Sequence, residues 1–131
     1  MLVVDASCLY EVVADTERAE AVRSRLAADT DHVAPHVVDV EVLNVIRLAR
    51  LRGLVDDTAA AQAVDDLAAW PGERFGHRSL LGRAWELRHN VRGWDAVYVA
   101  LAEVLEADLL TLDRRLRTAR GPRCRIEVVD G

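Results

Sequence analysis

The sequence predicts an α/β fold, a three-layer sandwich with a short central parallel sheet flanked by helices. Three observations carry that prediction. Short runs rich in Val and Leu alternate with helical stretches along the whole chain. Runs such as LVVD (2–5) are too apolar for a half-solvated strand and suit one buried on both faces. No internal repeat, low-complexity tract or linker divides the 131 residues, so residues 1–131 are expected to make one domain around one core.

Taken in order, LVVD leads at once into a helical stretch, ASCLYEVVA, and Thr16 is placed to cap a second amphipathic helix, ERAEAVRSRLAA. HVA (32–34), before Pro35, reads as a short strand. VVDVEVLNVIRLARLRG (37–53) is a helix with Gly53 at its stop. Another helix runs from about 56 to 70 and ends at Pro71-Gly72. ERFGH is a candidate third strand, and SLLGRAWELRHN a helix opened by Ser79 as N-cap. RGWDAVYVALAEVLE (92–106) is a helix, greasy for most of its length. ADLLTLD (107–113) is a strand ending in an acid, RRLRTAR a short basic helix, and CRIEVVD (124–130) the closing strand.

The net charge is −5, with 17 basic residues that are all arginine. They gather at Arg47, Arg50 and Arg52 and again along the last fifth of the chain. Arginine suits phosphate because its fork binds two oxygens at once; solvated helix faces account for such arginines equally well. No apolar run approaches the roughly 20 residues of a membrane span, and Asp5 interrupts the apolar start, which also lacks a basic leader. Cys8 and Cys124 match no zinc or redox spacing and read as reduced core thiols. The expectation is a cytoplasmic protein.

Four acids stand out together. Asp5 and Asp113 each sit where a strand meets a helix, and Asp95 opens the helix 92–106. Taken singly, each is accounted for by capping or by the helix dipole. Glu41 lies inside a helix, on a face shared with Asn44, Val45 and Leu48, where an unpaired carboxylate is costly and needs a partner such as an arginine. Ligands of open α/β sheets bind beyond the carboxyl ends of the strands. Asp5 and Asp113 belong to that edge; the sequence alone does not put Asp95 there. Carboxylates 4 Å apart repel by about 4 kcal/mol at an effective dielectric near 20, so a shared site takes up protons or a cation. Oxygen ligands without a thiolate or imidazole pattern select Mg²⁺ or Mn²⁺, which can polarise a phosphoryl oxygen and activate water.

The blocks VVDASCLYEVV, EVLN (41–44), WDAVYVALAE (94–103) and LLTLDRRL (109–116) resemble, in order and spacing, those of PIN-domain ribonucleases, in particular the VapC toxins of toxin–antitoxin pairs. The resemblance implies a PIN-like fold and a Mg²⁺-dependent endoribonuclease, Mn²⁺ being the alternative ion. It puts the catalytic quartet on Asp5, Glu41, Asp95 and Asp113, with Asp5 and Asp95 tied most directly to the metal. Asn44 is then the companion of Glu41, while Ser7 and Thr111 stand where the family often has hydroxyls. It further implies an RNA substrate, a homodimer and a small VapB-like antitoxin that blocks the site. An RNA-processing nuclease of the same family outside such a pair is the alternative. A Mg²⁺-binding phospho-receiver also sets aspartates at strand ends, but such domains resemble one another in using a lysine that this chain lacks.

The four histidines are scattered without metal spacing and read as structural or surface residues. Trp70, Trp85 and Trp94 read as core or interface residues, although Trp94, beside Asp95, also suits base stacking. Helix 37–52 is apolar around most of its circumference, which predicts burial on several sides and a dimer interface.

Overall fold

The computed structural model describes residues 1–130, among which the chain forms five strands and seven α-helices. The strands are β1 (Leu2–Val4), β2 (His32–Pro35), β3 (Glu73–Phe75), β4 (Asp108–Thr111) and β5 (Ile126–Val128). All pair in parallel, in the spatial order β3-β2-β1-β4-β5. The helices are α1 (Ala6–Val13), α2 (Ala19–Leu26), α3 (Val37–Leu51), α4 (Asp57–Ala69), α5 (Leu81–Glu86), α6 (Gly93–Leu105) and α7 (Arg114–Thr118). Every expected strand is present, and the layered α/β architecture is the one the alternation demands.

The sheet is buried at its centre. Leu2, Val3, Val4, Leu109 and Leu110 are fully covered, which is why β1 and β4 are written as unbroken apolar runs. From β1 the chain moves outward to β2 and β3, then returns across β1 to β4 and β5. With right-handed crossovers, that reversal puts the two sets of connecting helices on opposite faces. Helices α1 to α4 pack among themselves, while α6 lies along β1, β2 and β4 with α5 beside it. The reversal also opens a crevice past the carboxyl ends of β1 and β4, where neighbouring loops diverge.

Local sequence accounts for several boundaries. Gly53 adopts φ +73° just past α3, and the N–H groups of Gly53 and Leu54 close on Arg50 and Ala49 carbonyls, the left-handed stop that glycine favours. Asp56 caps α4 by accepting from the Ala59 N–H at 2.7 Å. Two expected caps are corrected. Helix α2 starts at Ala19, because Thr16 donates to Glu11 and accepts from the Arg18 N–H, holding a turn ahead of the helix. Ser79 is not an N-cap: it sits within a 3₁₀ turn, Arg78–Leu80, that runs into α5, and no side chain caps either.

Helix α3 is also less enclosed than its composition predicts. Val38, Val42, Ile46 and Ala49 face the core, but Val40, Leu43, Val45 and Leu51 are exposed. None of the tryptophans belongs to the buried core. Trp85 and Trp94 are two-thirds exposed, and Trp70 packs partly buried at its margin. Cys8 is fully buried and its thiol is pushed well above its ordinary pKa by burial; Cys124 is half-buried rather than a core thiol. Among the described residues no helix is long and apolar enough to cross a membrane.

Arg74 on β3 fastens this edge of the sheet. Its guanidinium pairs with Asp39 of α3 at 2.9 Å, donates to the carbonyls of Leu67, Trp70 and Gly72, and lies 4.9 Å from the centre of the Trp70 ring. Arg74→Ala is expected to cost on the order of 2 kcal/mol by taking its donors from the Trp70 and Gly72 carbonyls and its countercharge from Asp39, seen as a lower urea midpoint.

Candidate active site

Asp5 follows β1 directly, and its N–H continues the ladder by donating to the Leu110 carbonyl at 2.9 Å. Although Asp5 begins α1, its side chain makes no capping hydrogen bond. Because Val4 is in register with Leu110, the next residues, Asp5 and Thr111, come side by side. The Thr111 hydroxyl donates to Asp5 Oδ2 at 2.6 Å, and Ser7 donates to the same oxygen at 2.9 Å. Both hydroxyls also accept: Thr111 from the Asp113 N–H and Ser7 from the Leu112 N–H, each at 3.1 Å. Fully buried Thr111 therefore ties the first acid to the loop that carries the last.

Asp5, Ser7, Glu41, Asn44, Asp95 and Asp113 all line one open cleft of about 630 Å³ at this edge. Asp95, which the sequence leaves unplaced, is thus brought to the other three by α6, whose first turn it occupies. Thr111 stands behind Asp5 rather than in the lining. Among the described residues Glu41 has no arginine partner. It accepts instead from the Tyr98 hydroxyl at 2.8 Å, across from α3 to α6. Asp113 does cap α7, accepting from the Arg115 N–H at 2.9 Å, and the Arg115 guanidinium grips it as well, at 3.1 and 3.2 Å.

The electrostatics divide the quartet. Burial pushes Asp5 above the ordinary carboxylate range against the pull of its two hydroxyl donors, and Asp113 adds to the rise. Glu41 is raised to about 7, by burial first, with Asp5 and Asp95 contributing repulsion that Tyr98 partly offsets. Asp95 is raised to about 6 by burial and by the charges of Asp5 and Asp113, with Arg92 and Arg115 pulling the other way. Asp113 is held below its ordinary value, chiefly by Arg115. Asp5, Glu41 and Asp95 each feel at least one other acid. Among the described residues, however, no three His, Cys, Asp or Glu side chains stand close enough to form a ready metal site as they lie. The fit to a hard divalent cation is one of chemistry: the donors are oxygens, and their mutual repulsion is what such an ion relieves.

Sequence reading missed Tyr98 and Arg92, and took Arg115 only as one of a basic cluster suited to phosphate. Tyr98 is three residues beyond Asp95 within α6, so the helical period was the available signal for it; Arg92 stands ahead of the helix in extended backbone, where that period gives none.

A family model described as PIN domain matches residues 2–122. The chain is 38% identical over 128 residues to Ribonuclease VapC1 of Mycobacterium tuberculosis, covering 97% of this chain and 96% of that one. The chain belongs to the PIN-domain family, among the VapC ribonucleases. This VapC-family chain is also 40% identical over 119 residues to Ribonuclease VapC3 of Mycobacterium tuberculosis, covering 90% and 86% of the two. Its fold is shared with VapBC2 from Rickettsia felis, solved bound to a DNA fragment from their promoter, at a TM-score of 0.69 and 13% identity over 98% of both chains. It is shared too with VapC20 of Mycobacterium tuberculosis, a toxin described as cleaving the sarcin–ricin loop, at 0.62 and 19% identity over 83% and 87%. With PIN membership established, the phospho-receiver alternative falls away.

Proposed function

We propose that residues 1–131 form one PIN domain acting as a Mg²⁺-dependent endoribonuclease, with Mn²⁺ able to substitute, and as the toxin of a toxin–antitoxin pair. The observation that carries this reading is the convergence of Asp5, Glu41, Asp95 and Asp113, from four separate segments, on one cleft at the switch point of the sheet. Its near full-length likeness to proteins named VapC ribonucleases supports RNA as substrate and favours the toxin over an RNA-processing role outside such a pair. A VapB-like antitoxin is the partner, as in the solved VapBC2 assembly. Exposed Leu43 and Leu51 of α3, with Leu54 beyond it, support a homodimer, and the protein is assigned to the cytoplasm.

Asp5 and Asp95 are the residues that would hold the ion, with Glu41 and Asp113 completing the acidic ring and Asn44 adding an amide beside Glu41. Bound there, a divalent ion supplies a Lewis acid for a phosphoryl oxygen and a water acidic enough to attack phosphorus. The chain's own part is positioning. Ser7 and Thr111 fix Asp5 through one oxygen, leaving Oδ1 without a side-chain donor. Glu41, raised to about 7 while no ion offsets its neighbours, is oriented into the cleft by the Tyr98 hydroxyl.

The direct test is cleavage of a structured RNA by purified protein with Mg²⁺ or Mn²⁺, against an EDTA control and Asp5→Asn. Thr111→Val, which keeps the shape but removes the hydroxyl from Asp5 and the Asp113 N–H, is expected to lower the single-turnover rate roughly 10- to 100-fold. An unchanged rate would deny Thr111 its orienting role.

A further inference from the structure

The cleft is not acidic throughout. Val37, Val40, Val45 and Trp94 make an apolar wall on the side of α3 and the start of α6. Beyond the acids, a second groove of about 210 Å³ shares Arg92, Asp95 and Asp113 with the cleft and adds Arg115. Crossing the site therefore means passing from an aromatic and aliphatic surface, over carboxylates, to two guanidinium groups. We infer that this gradient is a nucleotide subsite, in which one RNA base stacks on Trp94 against Val40 while the adjoining phosphate is taken by Arg92 and Arg115.

The inference rests on the nuclease reading and deepens it. Trp94 is set apart from the other two tryptophans. Trp70 and Trp85 each carry a guanidinium over the ring, at 4.9 and 4.2 Å. Among the described residues no such group covers Trp94, a residue that is 65% exposed. A bare indole next to Asp95 offers a flat surface that any base can cover. The Arg115 side chain is 76% exposed although its partner Asp113 is only 26% exposed, and its Nε and one terminal nitrogen hold Asp113. The outer side of the fork meets a phosphate while the Asp113 pair stays in place. A nucleotide carries in one unit a flat base for the wall and an anion for the adjacent cations.

The test is equilibrium binding of a fluorescent 12-nucleotide single-stranded RNA to the full chain in EDTA, so that no cutting is required, beside a strand of the same length with abasic sites. Trp94→Ala is expected to weaken the base-bearing strand roughly 5- to 100-fold, leave the abasic strand unchanged, and be rescued largely by Trp94→Phe. Arg92→Ala and Arg115→Ala are expected to weaken both strands and to lower the salt slope by about 0.7 each. The subsite is overturned if Trp94→Ala binds both strands as the parent does or weakens both equally. It is likewise overturned if the parent binds neither strand, or if the variant loses only the antitoxin, which would make the wall a protein contact. Cutting by the same preparations with Mn²⁺ is scored separately: a parent that cuts RNA while binding is indifferent to Trp94 loses the subsite and keeps the nuclease.

Discussion

Replacing Asp5 with asparagine is expected to lower metal-dependent RNA cleavage by roughly a thousandfold or more while leaving the protein folded. The side-chain oxygen of asparagine can accept the same two hydroxyls, from Thr111 and Ser7, that Asp5 accepts now. Shape and hydrogen bonding are retained, and the charge alone is lost. Because burial already opposes ionisation of Asp5, the neutral variant is not penalised by the fold, and its thermal midpoint should match or exceed that of the parent. A large loss of rate with an intact melt then isolates the negative charge. Cleavage within tenfold of the parent would show that Asp5 does not hold the ion.

Without a divalent ion, the same charges should destabilise the protein, and removing one should help. Glu41 is raised from 4.5 to about 7 and Asp95 from 3.8 to about 6. A raised acid binds its proton more tightly folded than unfolded, so stability is full at pH values below the unfolded pKa and falls as pH rises through the folded one. The losses therefore fall between pH 4.5 and 7 for Glu41 and between pH 3.8 and 6 for Asp95. Glu41→Gln, whose carbonyl still accepts from Tyr98, is expected to be more stable than the parent at pH 8 in EDTA by roughly 1 kcal/mol, after allowing for solvent screening of a half-buried group. The gain should vanish near pH 4. Thermal melts at the two pH values read it directly, and equal midpoints at pH 8 would mean that the cleft does not strain its acids.

What the sequence discloses follows from where each signal lies. Strands β1 and β4 are legible because burial on both faces demands unbroken apolar runs. Asp5 and Asp113 follow as soon as those strands are placed. Asp95 is not legible in this way, since its position depends on how α6 crosses the sheet, a tertiary fact. Glu41 announces its need for a partner but not the partner: the bond to Tyr98 joins residues 57 apart in sequence. Ser79 fails as a cap because it lies inside a 3₁₀ turn, and Thr16 because its hydroxyl holds a turn ahead of α2; composition reveals neither turn. The greasiness of α3 reads as enclosure, yet half of it faces outward from the single chain, where another surface can cover it.

The account stands on four carboxylates acting together on divalent metal. Calorimetric titration of Mn²⁺ into the metal-free parent, Asp5→Asn and Asp95→Asn at pH 8 addresses this without RNA or antitoxin. The expected result is saturable uptake by the parent, weakened at least tenfold in each variant and weakened also in the parent as pH drops below about 6, where Glu41 and Asp95 hold protons. Uptake that ignores both substitutions, or no uptake by the parent, would contradict it.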